Sequence, residues 1–250
     1  MVAASMGAER TRSHGFYLGM AGIFVLIAFG GFTPTYWAQL AAGQFHAPPI
    51  VHIHGALFFI WTLFFFAQTA LVSAGRTPDH RSWGMAGISL ATLMVISVVL
   101  ATIHSMAAGE AAGMADQARQ FAIVPLGALV AFVPLMALAI ANVRRSEVHK
   151  RLMLLAMIPL MHAALFRLWR VMTAPHPPGP PPVASQMPPG IAADLLIVAA
   201  IVFDWRTRGR PHTVYLIGGA GILAEQVLST AFGTTETWLS IAAWVQSLAG

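Results

Sequence analysis

Residues 46–84 read HAPPIVHIHGALFFIWTLFFFAQTALVSAGRTPDHRSWG, and this stretch decides the fold class. It carries no charged side chain from Gly55 to Gly75. A helix of about 20 residues at ~1.5 Å each is roughly 30 Å long, which is the thickness of the hydrocarbon core of a bilayer. Four of the ten histidines flank this run, three before it and one after it: His46, His52, His54 and His80. The stretch therefore predicts a membrane-spanning helix with imidazoles near both faces of the membrane.

The composition of the whole chain also indicates a membrane protein. Of its 250 residues, 57% are hydrophobic and only 9% are charged, whereas soluble domains carry about 25% charged residues. The net charge of +5 comes from basic residues in short loops between apolar runs, a pattern that orients helices in a membrane. We therefore expect the lipid bilayer as a partner and no nucleic acid. The chain has no cysteine, which excludes disulfides, thiolate metal sites and iron–sulfur clusters.

Apolar runs predict an all-α, polytopic membrane protein whose residues 1–250 form one transmembrane helical-bundle domain. The seven expected spans are 16–37, 50–73, 83–104, 121–142, 149–172, 191–204 and 212–232. The prolines at 188 and 189 are candidates for the start of the sixth span, which is short without them. The tail, 234–250, has apolar residues at helical spacing and one charge, which predicts a C-terminal interfacial helix.

Basic loops alternate with neutral or acidic loops along the chain. Arginine and lysine precede span one and follow spans two, four and six, whereas the other loops are neutral or acidic. The positive-inside rule therefore predicts the N-terminus inside and the C-terminus outside. Short loops and low charge suit a multi-pass protein of a bacterial inner (cytoplasmic) membrane. The proline-rich loop after span five, which contains His176, is expected to be extended and to lie on the outer face.

Histidines at membrane depth are the main candidates for a functional site, because ionisable groups are costly in a bilayer. Imidazole ligates metal ions and haem iron, and it relays protons. The candidate metal ligands toward the outer face are His52, His54, His104 and His162. Of these, His54 and His162 are also candidate haem ligands, since they lie on different spans.

A second candidate haem pair lies toward the inner face. His80 and His149 stand at the starts of spans three and five, beside arginines. An alternative is that these two histidines are solvated or bind lipid head groups.

Three charged residues lie at or near membrane depth in the outer half. Arg167 follows His162 on span five, and Asp194 begins span six on the same side. Arg167 either pairs with Asp194 or holds an anionic group, such as a haem propionate or a substrate carboxylate. Glu225 lies about thirteen residues into span seven, where it is a candidate to move or share a proton, to ligate a metal, or to make a structural hydrogen bond. Arg167 and Glu225 are thus the candidate catalytic residues.

Several classes of protein are excluded by residues that they require. A retinal protein needs a Schiff-base lysine inside the bundle, and the one lysine, Lys150, lies in an inner loop. The chain also lacks a Walker motif, a dinucleotide fingerprint in the required context and an HExxH motif.

Two short elements carry a resemblance to known proteins. They are His80-Arg81-Ser82-Trp83-Gly84, after span two, and His149-Lys150-Arg151-Leu152-Met153, which opens span five. In these the chain resembles a group of uncharacterised bacterial multi-pass membrane proteins with H-R-x-x-G and H-K-R-x-M elements. More distantly, it is similar to di-haem membrane cytochromes of the b561 type, over roughly residues 52–170. That resemblance implies haem b held between histidines and electron transfer across the membrane, although span four lacks the histidine that a b561-type core carries.

Histidines at both faces, together with the resemblance, predict an integral membrane redox or electron-transfer protein that binds haem b or another metal. A redox partner or a larger membrane complex would then be its protein partner. The first alternative is a non-haem enzyme or carrier that uses a zinc, copper or iron ion. The second is a non-catalytic accessory subunit, sensor or transporter, so that enzymatic and non-enzymatic roles both stay open.

Overall fold

A computed structural model describes residues 2–173 and 179–248, with side chains from residue 13 onward. The described part of the chain forms ten α-helices in this order: α1 (Val2–Phe32), α2 (Ala38–Ala41), α3 (Pro49–Ser73), α4 (Thr77–Ala111), α5 (Ala115–Phe121), α6 (Ile123–Ala141), α7 (Ser146–Met172), α8 (Met187–Arg208), α9 (Thr213–Phe232) and α10 (Glu236–Ser247). A π-helical turn, Thr33–Trp37, joins α1 to α2, and a 3-10 turn, Val183–Gln186, leads into α8.

Seven helical segments are long and apolar enough to cross a membrane, so the predicted all-α chain with seven spans is confirmed. They are Ser13–Ala41, Pro49–Ser73, Thr77–Ala111, Ala115–Ala141, Ser146–Met172, Val183–Arg208 and Thr213–Phe232. Large apolar side chains such as Leu26, Val130 and Ile217 are about 70% exposed on the outside of the bundle (73%, 68% and 70%). Such a surface is stable in lipid and would be an aggregation site in water.

The third span is longer than predicted at both ends. It begins at Thr77 instead of residue 83, because Pro78 lies in the first turn and Asp79 is the acidic residue that favours a helix N-terminus. It continues to Ala111, where Gly113, with φ of 74°, follows. The sixth span is also longer than the expected 191–204, because the 3-10 turn and α8 form one segment, Val183–Arg208. Helix α8 itself starts at Met187, just before the proline pair that was a candidate for its start.

The loops define two ends of the bundle. Residues 74–76, 142–145 and 209–212 join successive spans at one end and include four arginines; we call this the basic end. Residues 42–48 and 112–114 join spans at the opposite end and carry no charge; we call this the neutral end. His176 and residues 174–178 of the proline-rich loop lie outside the described residues.

Helix α7 is the central column of the bundle. Over the most apolar 18-residue stretch of α7, 56% of the residues are buried inside the protein, whereas the corresponding share in the other spans is 22–39%. At its middle, Met157 accepts a hydrogen bond from Trp61 Nε1 of α3, with 3.1 Å between Nε1 and Sδ. Trp61 also packs edge-on against Phe132 of α6, with ring centroids 6.0 Å apart. Near its two ends, Arg151 is buried and His162 is partly buried, so both lie inside the bundle.

A buried ion pair joins two spans near the basic end. Arg151 of α7 donates from Nε and Nη2 to the carboxylate of Asp204 of α8, over 2.8 and 2.6 Å, and both side chains are buried. Nearby, the hydroxyls of Tyr17 and Tyr215 lie 2.9 Å apart and link α1 to α9. These contacts fix the positions of four spans around the start of α7.

The C-terminal helix α10 packs against the neutral end. Trp238 donates from Nε1 to the carbonyl of Arg119 over 2.8 Å, and Gln246 accepts from Arg119 and donates to Glu110. Its 12 residues amount to roughly 18 Å of helix, too short to cross a bilayer. A location in the membrane interface stays a prediction.

Candidate functional sites at the two ends of the bundle

Two imidazoles from different spans meet at the basic end. His80 lies in the first turn of α4 and His149 in the first turn of α7. Because both helices begin at the basic end, first-turn positions on them lie at a similar depth. The two rings are in edge-to-face contact, with centroids 6.3 Å apart and planes inclined by 71°.

The surroundings of His149 fix its tautomer. Its Nδ1 lies 2.8 Å from the carbonyl oxygen of Ala139, near the end of α6. A carbonyl accepts hydrogen bonds only, so Nδ1 carries the proton and Nε2 keeps its lone pair. This is the arrangement that orients a metal-ligating histidine, with one ring nitrogen donating to a backbone carbonyl and the other available for the ion.

Next to this histidine pair, two buried polar atoms have no hydrogen-bond partner. They are Nδ1 of His80 and Oε1 of Gln68, the latter on α3. The His80 ring also interacts with the backbone of Gln68, so the two residues are neighbours. Buried polar atoms are nearly always satisfied by protein, water or a ligand. Gln68, His80 and His149, which we call the basic-end site, therefore have unused capacity to bind an ion or a ligand.

A second polar group lies in the neutral-end half of the bundle, on three adjacent spans. The amide nitrogen of Gln226 on α9 lies 3.1 and 3.2 Å from the two carboxylate oxygens of Asp194 on α8. The same nitrogen lies 3.3 Å from Nε2 of His162 on α7. Gln226 is only 2% exposed, and its Oε1 has no partner among the described residues.

Glu225 adds a second carboxyl group to this region. Its Oε1 lies 2.5 Å from the hydroxyl oxygen of Ser229, one turn further along α9. It also interacts electrostatically with Asp194. Two glycines make room for these side chains: a Cβ at Gly127 of α6 would collide with Glu225, and one at Gly190 of α8 would press on Gln226. We call His162, Asp194, Glu225 and Gln226 the neutral-end cluster.

The four predicted metal ligands of the outer face do not come together around one point. His52 bonds to Tyr36 and His54 to Ser97, each over 3.2 Å, while His162 faces Gln226. His104 lies half-buried on α4. Within the part of the chain that the structure describes, no three histidine or acidic side chains are placed to hold a metal ion.

Arg167 and Asp194, the pair considered from the sequence, have separate partners. The guanidinium of Arg167 lies over the ring of Phe32 on α1, 4.7 Å from its centroid, whereas Asp194 accepts from Gln226. Among the described side chains, no carboxylate forms an ion pair with Arg167.

Sequence reasoning did not single out Gln226, which links three spans of the neutral-end cluster. The feature of the sequence that could have revealed it is a second polar residue beside Glu225, followed by Ser229, in an otherwise apolar span. Comparison with family models, curated proteins and solved structures found no match to this chain. Function is therefore inferred from the chemistry of its own residues.

Proposed function

We propose that the protein is an integral membrane redox protein in which His80 and His149 bind haem iron or another metal ion at the basic end. The observation that carries this proposal is the contact of their two rings, from two different spans, with centroids 6.3 Å apart. A metal ion bound by one nitrogen of each ring at about 2 Å would hold the ring centroids about 6 Å apart. The observed centroid distance is close to that spacing.

The chemistry of the two rings supports a metal ligand pair. The carbonyl of Ala139 holds the proton of His149 on Nδ1 and leaves Nε2 unprotonated. Nδ1 of His80 is buried and has no partner, so a metal ion would remove an unfavourable buried group. Imidazole suits iron, copper and zinc, and the absence of cysteine leaves no thiolate donor. The same spacing also suits two neutral imidazoles in edge-to-face contact. Metal content therefore decides between a metal-bound and a metal-free histidine pair.

Bound haem or a redox-active ion would give the protein an electron carrier near one face of the membrane. His80 and His149 would be the residues that hold haem iron. The role of the protein would be to fix these two ligands on rigid helices and to keep the group in a medium of low polarity. Arg167 and Glu225 lie toward the neutral end, so they are not assigned to this site.

The visible spectrum and metal content of the purified protein test the proposal. We expect an intense haem absorption band, or iron or copper at about one ion per chain; zinc has no redox chemistry and would instead favour the non-haem alternative. His80→Ala and His149→Ala should each lose most of the bound group. His46→Ala is the matched control, because His46 is exposed at the neutral end, and it should keep the full amount.

Three results would overturn the assignment. The first is a colourless protein free of metal. The second is full metal content in both the His80→Ala and His149→Ala variants. The third is loss of metal only in His54→Ala or His162→Ala, which would move the site to the neutral end. Thermal unfolding of each variant separates loss of the site from loss of the fold.

A further inference from the structure

We propose that the neutral-end cluster is a proton-binding site, in which Asp194 and Glu225 take up and release a proton from the neutral side of the membrane. This proposal does not depend on the metal site at the other end. The first observation that supports it is the charge of the two carboxyl groups. Two carboxyl groups interact with each other, and neither forms an ion pair with a basic side chain of the described residues.

The depth of the cluster makes two ionised carboxylates costly. Asp194 is the eighth residue of α8, and Gln226 lies six residues before the end of α9. At ~1.5 Å per residue, both lie about 10 Å inside the neutral ends of their helices. In a medium of low polarity, two unneutralised carboxylates favour the binding of a positive charge, and a proton needs the least room.

Among the described residues, the groups found in contact with the cluster from neighbouring helices carry no positive charge. Helix α6 presents Gly127, and α8 presents Gly190 beside Gln226. The one titratable base in contact is His162 of α7, whose Nε2 lies 3.3 Å from the amide nitrogen of Gln226. Because that nitrogen donates, His162 accepts with Nε2 and carries its proton on Nδ1, so it is neutral.

Gln226 supplies the second, independent observation. Its amide nitrogen donates to Asp194 and to His162, which requires Asp194 to act as an acceptor. Its amide oxygen is buried without a partner, and leaving such an atom unsatisfied costs about 1–3 kcal/mol. The observed arrangement therefore matches an ionised Asp194, and it leaves one acceptor unused.

Protonation of Asp194 gives that acceptor its partners. A hydronium ion at the neutral side transfers its proton to a carboxylate oxygen of Asp194, which forms one O–H bond and releases water. If the side-chain amide of Gln226 then flips by half a turn, its oxygen and nitrogen exchange positions. The oxygen can then accept from the new O–H group. The same oxygen accepts from His162 once the imidazole has released its Nδ1 proton to water and taken one from water at Nε2. The cluster thus has two hydrogen-bond arrangements, which differ by one proton on Asp194, by the orientation of the Gln226 amide and by the tautomer of His162.

Glu225 supports the exchange as the second carboxyl group. The distance of 2.5 Å between Glu225 Oε1 and Ser229 Oγ is the length of a strong O–H···O bond. Either oxygen can donate, so a protonated Glu225 keeps this bond. When Asp194 is ionised, the repulsion between the two groups favours a proton on Glu225.

Infrared spectroscopy of the full chain in lipid nanodiscs, recorded over a pH series at fixed salt, tests the proposal. We expect the C=O band of a protonated carboxylic acid at neutral pH. The band should shift in D2O and weaken as the pH is raised. Asp194→Asn and Glu225→Gln should each remove part of it, and the two together should remove all of it. Gln226→Leu should change the pH at which the band titrates, because it removes the amide from both arrangements.

Asp116→Asn is the matched control, since Asp116 is exposed on α5 at the neutral end, and it should leave the band unchanged.

A wild-type spectrum without the band overturns the proposal, as does a band that survives in the Asp194→Asn, Glu225→Gln double variant. A band that responds to sodium at constant pH, and not to pH, also overturns it in favour of a metal-cation site. Because the wild-type spectrum needs no variant, failure of a variant to fold leaves the test intact. A metal-free protein that shows the band would contradict the redox proposal and support this one.

Discussion

Arg151 and Asp204 form an ion pair with two hydrogen bonds in the interior of the bundle, with side chains only 2% and 0% exposed. Arg151 also donates from Nη1 to the backbone carbonyl and the carboxylate of Glu147, each over 2.7 Å. Asp204 accepts a further hydrogen bond from the backbone nitrogen of His212 over 3.2 Å. The pair therefore joins α7 to α8 and to the turn before α9.

Removal of one partner of this pair should destabilise the protein strongly. Asp204→Ala leaves a buried guanidinium without its main counterion, and we expect a loss of about 3–5 kcal/mol in the free energy of unfolding. Reversible unfolding in mixed detergent measures it. Arg76→Ala is the control, because Arg76 and Asp79 form an exposed ion pair over 2.7 Å, which is worth less than about 1 kcal/mol. Equal losses in the two variants would contradict the structural role assigned to Asp204.

A methyl group at Gly127 should disturb Glu225. An alanine Cβ there would collide with Glu225 Oε1 and Ser229 Oγ, and overpacking of this kind costs about 1–3 kcal/mol. Gly55→Ala, where nothing lies within 4 Å of the added Cβ, should leave stability unchanged or slightly raised. The thermal unfolding of both variants checks this difference.

A double-mutant cycle identifies the cause of any loss at Gly127. If Glu225 is the obstacle, Gly127→Ala should cost less in a Glu225→Ala background than in the wild type. An equal cost in both backgrounds would show that Ser229, and not Glu225, resists the methyl group.

The loop residue His212 should make stability depend on pH. Its Nδ1 accepts a hydrogen bond from the backbone nitrogen of Val214 and so caps α9. Burial, followed by the charges of Arg151 and Arg208, lowers the pKa of His212 from its ordinary value of 6.5. The folded state thus binds the proton less readily than the unfolded state. The contribution of the cap is complete above pH 6.5 and is lost as the pH falls below that value.

His212→Asn provides the test of this dependence. Asparagine keeps an N-cap acceptor but does not titrate, so we expect the variant to retain its stability from neutral to acidic pH. His212→Ala should lose about 1 kcal/mol at neutral pH, the usual value of an N-cap. Unfolding curves at several pH values distinguish the two variants, and a wild-type curve that is flat with pH around 6 would contradict the assignment.

The seven spans could be predicted because length and hydropathy alone select a membrane helix. The ends of the spans were less predictable, and α4 shows why. The apolar run begins after the polar residues Asp79, His80 and Arg81. The helix nevertheless includes them, because it begins at Thr77. A polar first turn is favourable for a helix that emerges from the membrane, so hydropathy places the start too late.

The grouping of His80 with His149 followed from topology, since both stand at helix starts on one side. The neutral-end cluster did not follow in the same way. Spans that are apolar on all sides give little indication of which face turns inward. The rotation of α9 therefore decides that Gln226 meets Asp194, and the rotation of α7 decides that Arg167 meets Phe32. The depth of these residues in the membrane could be predicted from the sequence, but the side chains that they contact could not.

The contact of Trp61 with Met157 and Phe132 acts as an insulating layer at mid-membrane. His149 and His162 lie on opposite sides of it, about 20 Å apart along α7. Protons and ions cross a dry, apolar layer slowly because no polar group carries them. The basic-end site would thus exchange with one aqueous compartment and the neutral-end cluster with the other. A charge that entered at one end would then reach the opposite compartment only if these side chains moved apart.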